Sequence, residues 1–397
     1  MVEPEKKRKR IGIEVSIACA EAVKLADVDC IAAYPITPQT HIVEHLSEIV
    51  ADGELEAEFI PVESEHSAMS VCAGTSAAGA RTFTATSSQG LALMSEIVFI
   101  VSVLRMPIVM TLVNRSMSSP LSIWNDHSDV MYVRDCGWIQ MFVENGQEVF
   151  DHIFWAFRVA EDRGVLLPVM INLDGFILSH VIEPIEFWTK DMAKKYLPRY
   201  EPLYRLHPDK PVTMGAFGPP EIFTETKMAQ DQALINSYPV LIKAWEELKE
   251  LTGREYRPVE TYRAEGAKTL FVTMGSLGET AREAVDSMRE VGEDVGLISL
   301  RLWRPFPFEE FRKAVSGADT LIVLDRAVSF GGPGGPVASE LRSALYHQKK
   351  QPKVLNLIVG LAGRDVQADD FWQMLEECRR KIKKGSEDEY VIYGVRE

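Results

Sequence analysis

The sequence predicts an α/β protein built from a doubly wound domain and a second, smaller α/β domain, and three observations support this. Strand-like segments such as 28–34 and 107–114 are apolar at nearly every position, which indicates strands buried on both faces of a parallel sheet. Helical patterns separate these segments along most of the chain. A chain of 397 residues is also too long for one ordinary hydrophobic core, so two domains are expected.

The first domain is predicted to span residues 1–185. Its helices are expected over 14–26, 40–50, 66–80, 91–105 and 147–161, and its strands over 28–34, 57–62, 82–87, 107–114 and 165–174. This regular alternation is typical of a doubly wound domain with a parallel sheet between two layers of helices.

The regular pattern stops between residues 186 and 265. This stretch is rich in proline, tyrosine and charged residues, and only residues 237–254 have a clear helical pattern. We interpret it as a connecting arm or linker that packs on a neighbouring surface. From 266 to 397 the alternation resumes, with strands over 269–275, 295–301, 320–325 and 354–360 and helices over 278–290, 308–316, 336–347 and 368–383. This segment is predicted to form a second, smaller α/β domain.

Charge and cysteine content limit the functional classes. Lys and Arg number 43 against 58 Asp and Glu, and the net charge of −15 disfavours a nucleic-acid surface. The basic run at 6–10 is interpreted as a solvated tail rather than a nucleic-acid arm or localisation signal. The most apolar stretch, 97–113, is interrupted by Arg105 and Pro107, so no membrane span is predicted.

The five cysteines are widely separated, and no CxxC motif occurs. This spacing predicts reduced thiols and a cytoplasmic location. It also excludes an iron–sulfur or zinc site held by closely spaced cysteines of this chain, so any such cluster is expected on a partner.

Polar residues follow each of the first four predicted strands. Thr37, held between two prolines, follows the first strand. The residues after the other strands are Glu63, Glu65 and His66, then Ser87, Ser88 and Gln89, then Asn114 and Arg115. Because the carboxyl ends of parallel strands meet at one edge of the sheet, these side chains are expected to line one ligand site.

Each of these residues also has a simpler interpretation. A glutamate at a helix N-terminus, such as Glu65, is often only a partner of the helix dipole. Arg115 fits either a solvated surface position or a fork that binds a carboxylate. Asp126, His127 and Asp129 resemble a metal-ligand string, but polar loops produce such strings by chance, and no metal ligand is predicted. The glycine-rich segment 329–336 matches no phosphate-binding motif, so a turn before a helix is favoured.

Several motifs, taken together in their order and spacing, are specific to one protein family. They are AAYPITPQT, PVESEHSAMS, ARTFTATSSQGLALM, RSMSSPLSIWNDHSD and DCGWIQ, followed later by GREYRPVETYR, VTMGSLGET, LRLWRPFP and LDRAVSFG. With these motifs the chain resembles, over nearly its whole length, the alpha subunit of the multi-subunit 2-oxoacid:ferredoxin oxidoreductases. It is most similar to the members that act on pyruvate.

The resemblance implies a fold and a cofactor. The fold is a pyrimidine-type thiamine-diphosphate-binding domain followed by a transketolase C-terminal-like domain. Thiamine diphosphate is expected to be shared, with the beta subunit holding the diphosphate and Mg²⁺, which agrees with the absence of a GDG motif here. The family's catalytic glutamate falls on Glu65, which would bond the pyrimidine nitrogen, and Ser88 and Gln89 are expected to bind the cofactor. The family's substrate-binding residues fall on Thr37 and Arg115.

The resemblance also implies a reaction. Pyruvate would be oxidatively decarboxylated with coenzyme A to acetyl-CoA and CO₂, and electrons would reach ferredoxin through [4Fe–4S] clusters of gamma and delta subunits. The alternatives are a branched-chain enzyme acting on 2-oxoisovalerate, an enzyme for another 2-oxoacid, and a non-catalytic scaffold. Thr37 argues against oxalate as the substrate, because the oxalate enzyme of the family has arginine at this position. The loop 118–124 is more similar to the pyruvate form, and its Ile123 and Trp124 either narrow the pocket or serve ordinary packing.

Overall fold

The computed structural model describes residues 10–215, 217–385 and 390–396. Strands and helices alternate through its first half. They are β1 (Arg10–Glu14), α1 (Val15–Leu25), β2 (Cys30–Ala33), α2 (Thr40–Ala51), β3 (Glu58–Pro61), α3 (Glu65–Ala78), β4 (Thr82–Thr86), α4 (Ser88–Val103), β5 (Ile108–Asn114), α5 (Ser128–Tyr132), β6 (Ile139–Phe142), α6 (Gly146–Ala160), β7 (Val169–Asp174) and β8 (Ile182–Glu186). Of the predicted basic tail, only Arg10 is within the described residues.

Six of these strands form the main part of a seven-stranded sheet. Its order is β12-β6-β7-β5-β4-β2-β3, where β12 (Leu302–Arg304) comes from the second half of the chain. All neighbours are parallel except β12, which pairs antiparallel with β6. Strands β2, β4, β5, β6 and β7 are buried at every position, as the continuous apolar runs predict for a sheet covered on both faces.

The remaining elements belong to the second half of the chain. They are α7 (Lys190–Tyr196), α8 (Pro220–Thr252), β9 (Val259–Tyr262), β10 (Thr269–Thr273), α9 (Leu277–Glu290), β11 (Val295–Leu300), α10 (Phe308–Ala314), β13 (Thr320–Asp325), α11 (Pro336–Leu345), β14 (Lys353–Ile358), α12 (Ala368–Lys384) and β15 (Val391–Ile392). Six strands form a second sheet in the order β15-β14-β13-β10-β11-β9, in which only β9 is antiparallel. The predicted α/β fold class is therefore confirmed.

Short strands account for most of the elements that the sequence pattern missed. β1 and β8 form an antiparallel pair beside the main sheet, and β6 has only four residues. The predicted strand 295–301 is found as β11 of the second sheet, but β12, which follows directly after Arg301 and joins the first sheet, was not predicted. The alternation of side chains along a strand cannot reveal that two consecutive strands belong to different sheets.

The segment 186–265 contains more regular structure than the sequence predicts. Helix α8 begins at Pro220 rather than at residue 237 and continues through Pro239. The buried face of its second half includes Leu241, Trp245 and Leu248, which join the hydrophobic core around α6. Trp245 stacks on Trp155 of α6 with ring centroids 4.7 Å apart. The proposed domain boundaries at 185 and 265 stay a prediction.

The buried carboxylate of Asp151 in α6 holds the C-terminal end of the segment 186–265 through hydrogen bonds. Asp151 has no exposed surface and accepts hydrogen bonds from Arg254, Tyr256 and Trp188, with Arg254 using both Nε and Nη2. We expect Arg254→Ala to lower the free energy of unfolding by about 3–5 kcal/mol, because it leaves Asp151 as a buried charge without its cation. Denaturant unfolding of the purified protein measures this. Arg257→Ala, which breaks an exposed pair with Glu255, should change it little.

No helix in the described ranges is both long and apolar enough to cross a membrane. All five cysteines are buried free thiols, in agreement with the prediction of reduced cysteines.

Candidate active site

The strand order places a crevice between β2 and β4. The chain runs from β2 outward to β3 and then crosses back through α3 to β4, so the loops after β2 and β4 leave the sheet in opposite directions. Ligands of open parallel sheets bind at such a switch point, beyond the carboxyl ends of the strands. Gln39 spans this crevice, because its Nε2 donates to the Ala85 carbonyl at 2.8 Å and to the Tyr34 carbonyl at 3.2 Å.

Glu65 is the first residue of α3 and lies beside the crevice. Ser64 caps the helix by accepting a hydrogen bond from the backbone N–H of Ser67, so the Glu65 carboxylate is not needed as a cap. Glu65 is 6% exposed, and its carboxylate has no hydrogen bond or ion pair with any residue that the structure describes. A buried carboxylate without a protein partner is costly, which favours a role toward a ligand over the simple helix-dipole role.

The start of α4 comes into direct contact with Glu65. A Cβ atom on Gly90 would lie 2.7 Å from Glu65 Oε1 and 2.4 Å from Thr86 Oγ1, so only glycine allows this approach. The hydroxyl oxygens of Thr86 and Ser87 are both buried without a hydrogen-bond partner in the described part of the chain. The end of β4 therefore carries two unpartnered hydroxyl groups, and Thr86 lies close to the unpartnered Glu65 carboxylate. Hydroxyl donors and a carboxylate acceptor together fit the polar edge of a bound ring.

Arg115 and Thr37 are brought together. Arg115 Nη1 donates to the Thr37 carbonyl at 2.8 Å, and Nε donates to the Ser122 carbonyl at 2.8 Å. Arg115 is 7% exposed, whereas Thr37 is exposed, and burial lowers the pKa of the guanidinium from its usual value. Its Nη2 has no partner among the described residues, which leaves one edge of the guanidinium for a ligand. The Arg115 side chain is thus held at the site and is not a solvated surface group.

Ser88 and Gln89 lie at the start of α4, but their contacts are mostly internal. Ser88 is buried, with a positive φ of 46°, and its Oγ lies 2.7 Å from the Ser116 carbonyl and 2.6 Å from Gln89 Oε1. The Ser88 hydroxyl has one proton and can donate to only one of these two oxygens at a time. With the Gln89 amide turned over, its NH₂ group would donate to Ser88 Oγ, and the Ser88 proton would be left for the Ser116 carbonyl. Gln89 is half-buried and remains available to a ligand.

Asp126, His127 and Asp129 do not converge on a common point. Asp126 Oδ1 accepts from Ser128, His127 Nε2 lies 2.8 Å from Asp174, and Asp129 accepts from Ser88, Asn114, Arg115 and Val130. The three side chains therefore bond to separate partners. In the described residues a group with ligand atoms within 4.8 Å forms from Glu14, His41 and His180, where His41 Nδ1 pairs with Glu14 at 2.7 Å.

Asp174 joins this site to the second half of the chain. Its carboxylate accepts from Arg326 Nη1 at 2.9 Å and from the Ser276 backbone N–H at 2.9 Å, besides its contact with His127. Burial acts to raise its pKa, but Arg326 and His127 together hold the pKa well below its usual value. The loop after β5 is also bonded from the second half, since Gly363 N–H donates to the Asn125 carbonyl at 2.6 Å.

The glycine-rich segment 329–336 does not offer a free phosphate cradle. The N-terminus of α11 is already occupied by Asp325, which accepts from the N–H groups of Val337 and Ala338 at 2.8 and 3.0 Å. A Cβ on Gly335 would lie 2.0 Å from the Asp325 carboxyl carbon, so the glycine is needed for this internal contact. The interpretation as a turn before a helix is confirmed.

Four residues of the site were not singled out from the sequence for the roles they have here: Gln39, Thr86, Gly90 and Asp129. Gln39 and Gly90 stand inside the motifs YPITPQT and SSQGL, and Gly90 directly precedes the predicted helix 91–105. Thr86 and Asp129 carried no local signal, because their roles depend on which segments the fold brings together.

Comparison with known proteins identifies the family. Residues 21–245 match the thiamine-diphosphate-binding domain of pyruvate flavodoxin/ferredoxin oxidoreductases. The chain belongs to the pyruvate flavodoxin/ferredoxin oxidoreductase family. Residues 267–371 match core domain II of pyruvate:ferredoxin oxidoreductases. The resemblance drawn from the motifs is thereby confirmed, and the oxidoreductase chain carries the family's thiamine-diphosphate-binding domain.

Relatives within the family cover nearly the whole chain. The pyruvate synthase subunit PorA of Methanocaldococcus jannaschii is 46% identical over 383 residues, which are 96% of this chain and 96% of that protein. The ketoisovalerate oxidoreductase subunit VorA of Pyrococcus furiosus is 41% identical over 391 residues, 98% of each chain.

A solved structure has the same fold. It is the 2-oxoglutarate:ferredoxin oxidoreductase from Magnetococcus marinus, with 2-oxoglutarate, coenzyme A and succinyl-CoA bound. The TM-score is 0.69 at 19% identity, and the match covers 95% of this chain and 66% of that chain.

Proposed function

We propose that this chain is the alpha subunit of a pyruvate:ferredoxin oxidoreductase. The reaction is the reversible oxidative decarboxylation of pyruvate with coenzyme A to acetyl-CoA and CO₂, with electrons passing to ferredoxin. The single observation that carries this proposal is the buried Glu65 carboxylate, which has no partner among the described residues and lies at the switch point of a family thiamine-diphosphate-binding domain.

Glu65 would act on the pyrimidine ring. When bound, thiamine diphosphate supplies the carbon nucleophile and the electron sink for decarboxylation. Glu65 would bond a ring nitrogen and hold a proton there, and the hydroxyl groups of Thr86 and Ser87 would satisfy neighbouring polar atoms. Its position in the first turn of α3 brings the carboxylate against Gly90 of α4.

Arg115 and Thr37 would position the substrate. The free edge of the Arg115 guanidinium suits the carboxylate of a 2-oxoacid, since arginine donates two N–H groups in a planar fork. Thr37 is connected to Arg115 through its own carbonyl, and its hydroxyl would bind the same ligand. Ser88 and Gln89 would lie beside the cofactor, and the half-buried Gln89 amide would be the group that reaches it.

The remaining parts of the catalytic complex are proposed on partner chains. The beta subunit would hold the diphosphate with Mg²⁺, and gamma and delta subunits would hold the [4Fe–4S] clusters that lead to ferredoxin. The buried, unpaired and widely separated cysteines of this chain agree with that division, and with a cytoplasmic location.

A branched-chain 2-oxoacid such as 2-oxoisovalerate is the second candidate substrate, because the ketoisovalerate relative is also similar over the whole chain. The loop 118–124 bears on this choice. Trp124 is 49% exposed, and its ring packs on Phe176 with centroids 4.7 Å apart. Because Ser122, two residues before Trp124, is bonded to Arg115, the Trp124 ring would stand beside the bound 2-oxoacid and favour a small substrate.

The proposed function is tested on the complex purified through a tag on this chain. We expect coenzyme-A-dependent reduction of viologen or ferredoxin with pyruvate, and much less with 2-oxoisovalerate, 2-oxoglutarate or oxalate. A preference for 2-oxoisovalerate would show that the proposed substrate is wrong but that the proposed type of reaction is right. Absence of both an iron–sulfur partner and activity would favour the non-catalytic scaffold.

The close approach of Gly90 to Glu65 leads to a prediction of its own. We expect Gly90→Ala to lower pyruvate oxidation at least about tenfold, because the added Cβ displaces Glu65 and Thr86, and displacements near 1 Å are costly at reacting centres. The measurement is kcat of the purified complex. Gly74→Ala in α3 is the matched control, since a Cβ there meets nothing within 4 Å and activity should be unchanged.

A further inference from the structure

The carboxylate of Asp129 lies between the ends of β4 and β5 and has no exposed surface. Its Oδ2 accepts from the backbone N–H of Arg115 at 2.9 Å and of Ser88 at 3.1 Å. Its Oδ1 accepts from Asn114 Nδ2 at 3.0 Å and from the Val130 N–H at 2.8 Å. Each oxygen therefore uses both lone pairs, and no capacity remains for a ligand.

The two donors on Oδ2 are the residues expected to contact different ligands. Ser88 begins α4, whose first turn also places Gly90 against Glu65, and Arg115 begins the loop expected to hold the substrate carboxylate. Ser88 also has a positive φ of 46°, a conformation that a non-glycine residue keeps only where its surroundings enforce it. One oxygen atom thus bonds both the residue that begins α4 and the residue that begins the loop after β5.

Further contacts make this arrangement rigid. The Ser88 hydroxyl lies 2.7 Å from the Ser116 carbonyl, directly after Arg115. Asn114 Nδ2 also donates to Asn172 Oδ1 at 3.1 Å, which links Asp129 to β7. Burial raises the pKa of Asp129 to about 7, although the four N–H donors act to lower it.

We propose that Asp129 is a positioning residue, which fixes the Arg115 guanidinium relative to the start of α4 so that substrate and cofactor meet in one geometry. This inference rests on the proposed function, because it presupposes that Arg115 binds the 2-oxoacid. Asp129 touches neither ligand and acts through the Arg115 and Ser88 backbone.

The test is Asp129→Asn in the purified complex. Asparagine has the same shape, but its NH₂ group would face two N–H donors in either orientation, so half of the network is lost. We expect the pyruvate KM to rise at least about tenfold, with a smaller fall in kcat, because the substrate fork is displaced. Asp135→Asn, at an exposed side chain with 70% relative exposure, is the control and should change neither constant.

A double variant separates positioning from a general effect on folding. If Asp129 acts through Arg115, adding Asp129→Asn to Arg115→Ala should change the pyruvate KM less than about threefold. Independent, multiplicative effects of the two substitutions would overturn the inference. So would an unchanged KM in Asp129→Asn while Arg115→Ala raises it, and in that case the proposed function stands.

A second substitution covers failure of the Asp129→Asn complex to assemble. Asn114→Ala removes one of the four donors and leaves the carboxylate in place, and we expect a KM increase of about threefold or more that also disappears in the Arg115→Ala background. A KM within about twofold of the wild type would overturn the inference. If Arg115→Ala itself leaves KM unchanged, the substrate role of Arg115 and this inference fail together, while pyruvate-dependent activity of the wild type still supports the proposed reaction.

Discussion

Glu65→Gln should reduce pyruvate oxidation by the purified complex by about 10³-fold or more, because glutamine cannot hold the proton that activates the cofactor ring. The side chain keeps its shape and remains buried against Gly90 and Thr86, so folding should be little affected. The measurement is kcat for viologen reduction at saturating pyruvate and thiamine diphosphate. Subunit composition and bound thiamine diphosphate are determined on the same preparation.

Glu63→Gln is the matched control for this experiment. Glu63 lies two residues earlier in the same motif but is exposed, and its carboxylate accepts from Ser67 Oγ at 2.6 Å rather than pointing into the crevice. Its substitution should leave kcat unchanged. Turnover of the Glu65→Gln complex close to that of the wild type would remove Glu65 from the catalytic role, whatever the fold family.

Arg115→Ala should raise the pyruvate KM by about 10²-fold, since hydrogen bonds to a charged group are worth about 1.5–3 kcal/mol and the substrate carboxylate loses its fork. Thiamine diphosphate affinity should stay close to that of the wild type. Because Arg115 also bonds the carbonyls of Thr37 and Ser122, part of the effect comes from relaxation of those two loops.

Arg115→Lys separates the two contributions. Lysine keeps the positive charge but cannot bond both carbonyls and the substrate in one plane, so we expect an intermediate KM. Arg134→Ala, at a half-exposed arginine of the same region, serves as the control for loss of one cation. A pyruvate KM unchanged in Arg115→Ala would contradict the assignment of this residue to the substrate.

The second half of the chain contributes to the loop that carries Arg115. His127 N–H donates to the Arg326 carbonyl at 2.8 Å, and Gly363 donates to the Asn125 carbonyl. The strand β12 is itself part of the first sheet. This loop is thus held from both halves of the chain, so the second half affects the geometry proposed for substrate binding.

Much of this protein follows from its amino-acid sequence. Apolar runs such as β4 and β5 predicted parallel strands because residues buried on both faces leave no alternation. Polar residues after those strands were expected at one edge, and Thr37 and Arg115 do meet there through a hydrogen bond. The motifs around Glu65, in their order and spacing, were specific enough by themselves to indicate the family.

Other features depend on how the segments assemble in space. Arg301 separates two strands of different sheets, which no local pattern encodes because the partners of β11 and β12 lie far apart in sequence. Asp129 has the appearance of a loop carboxylate until the fold brings Ser88 and Arg115 to one of its oxygens. Burial and hydrogen-bond partners are properties of the assembled segments, so the sequence specifies which groups are present, and the fold specifies what each of them contacts.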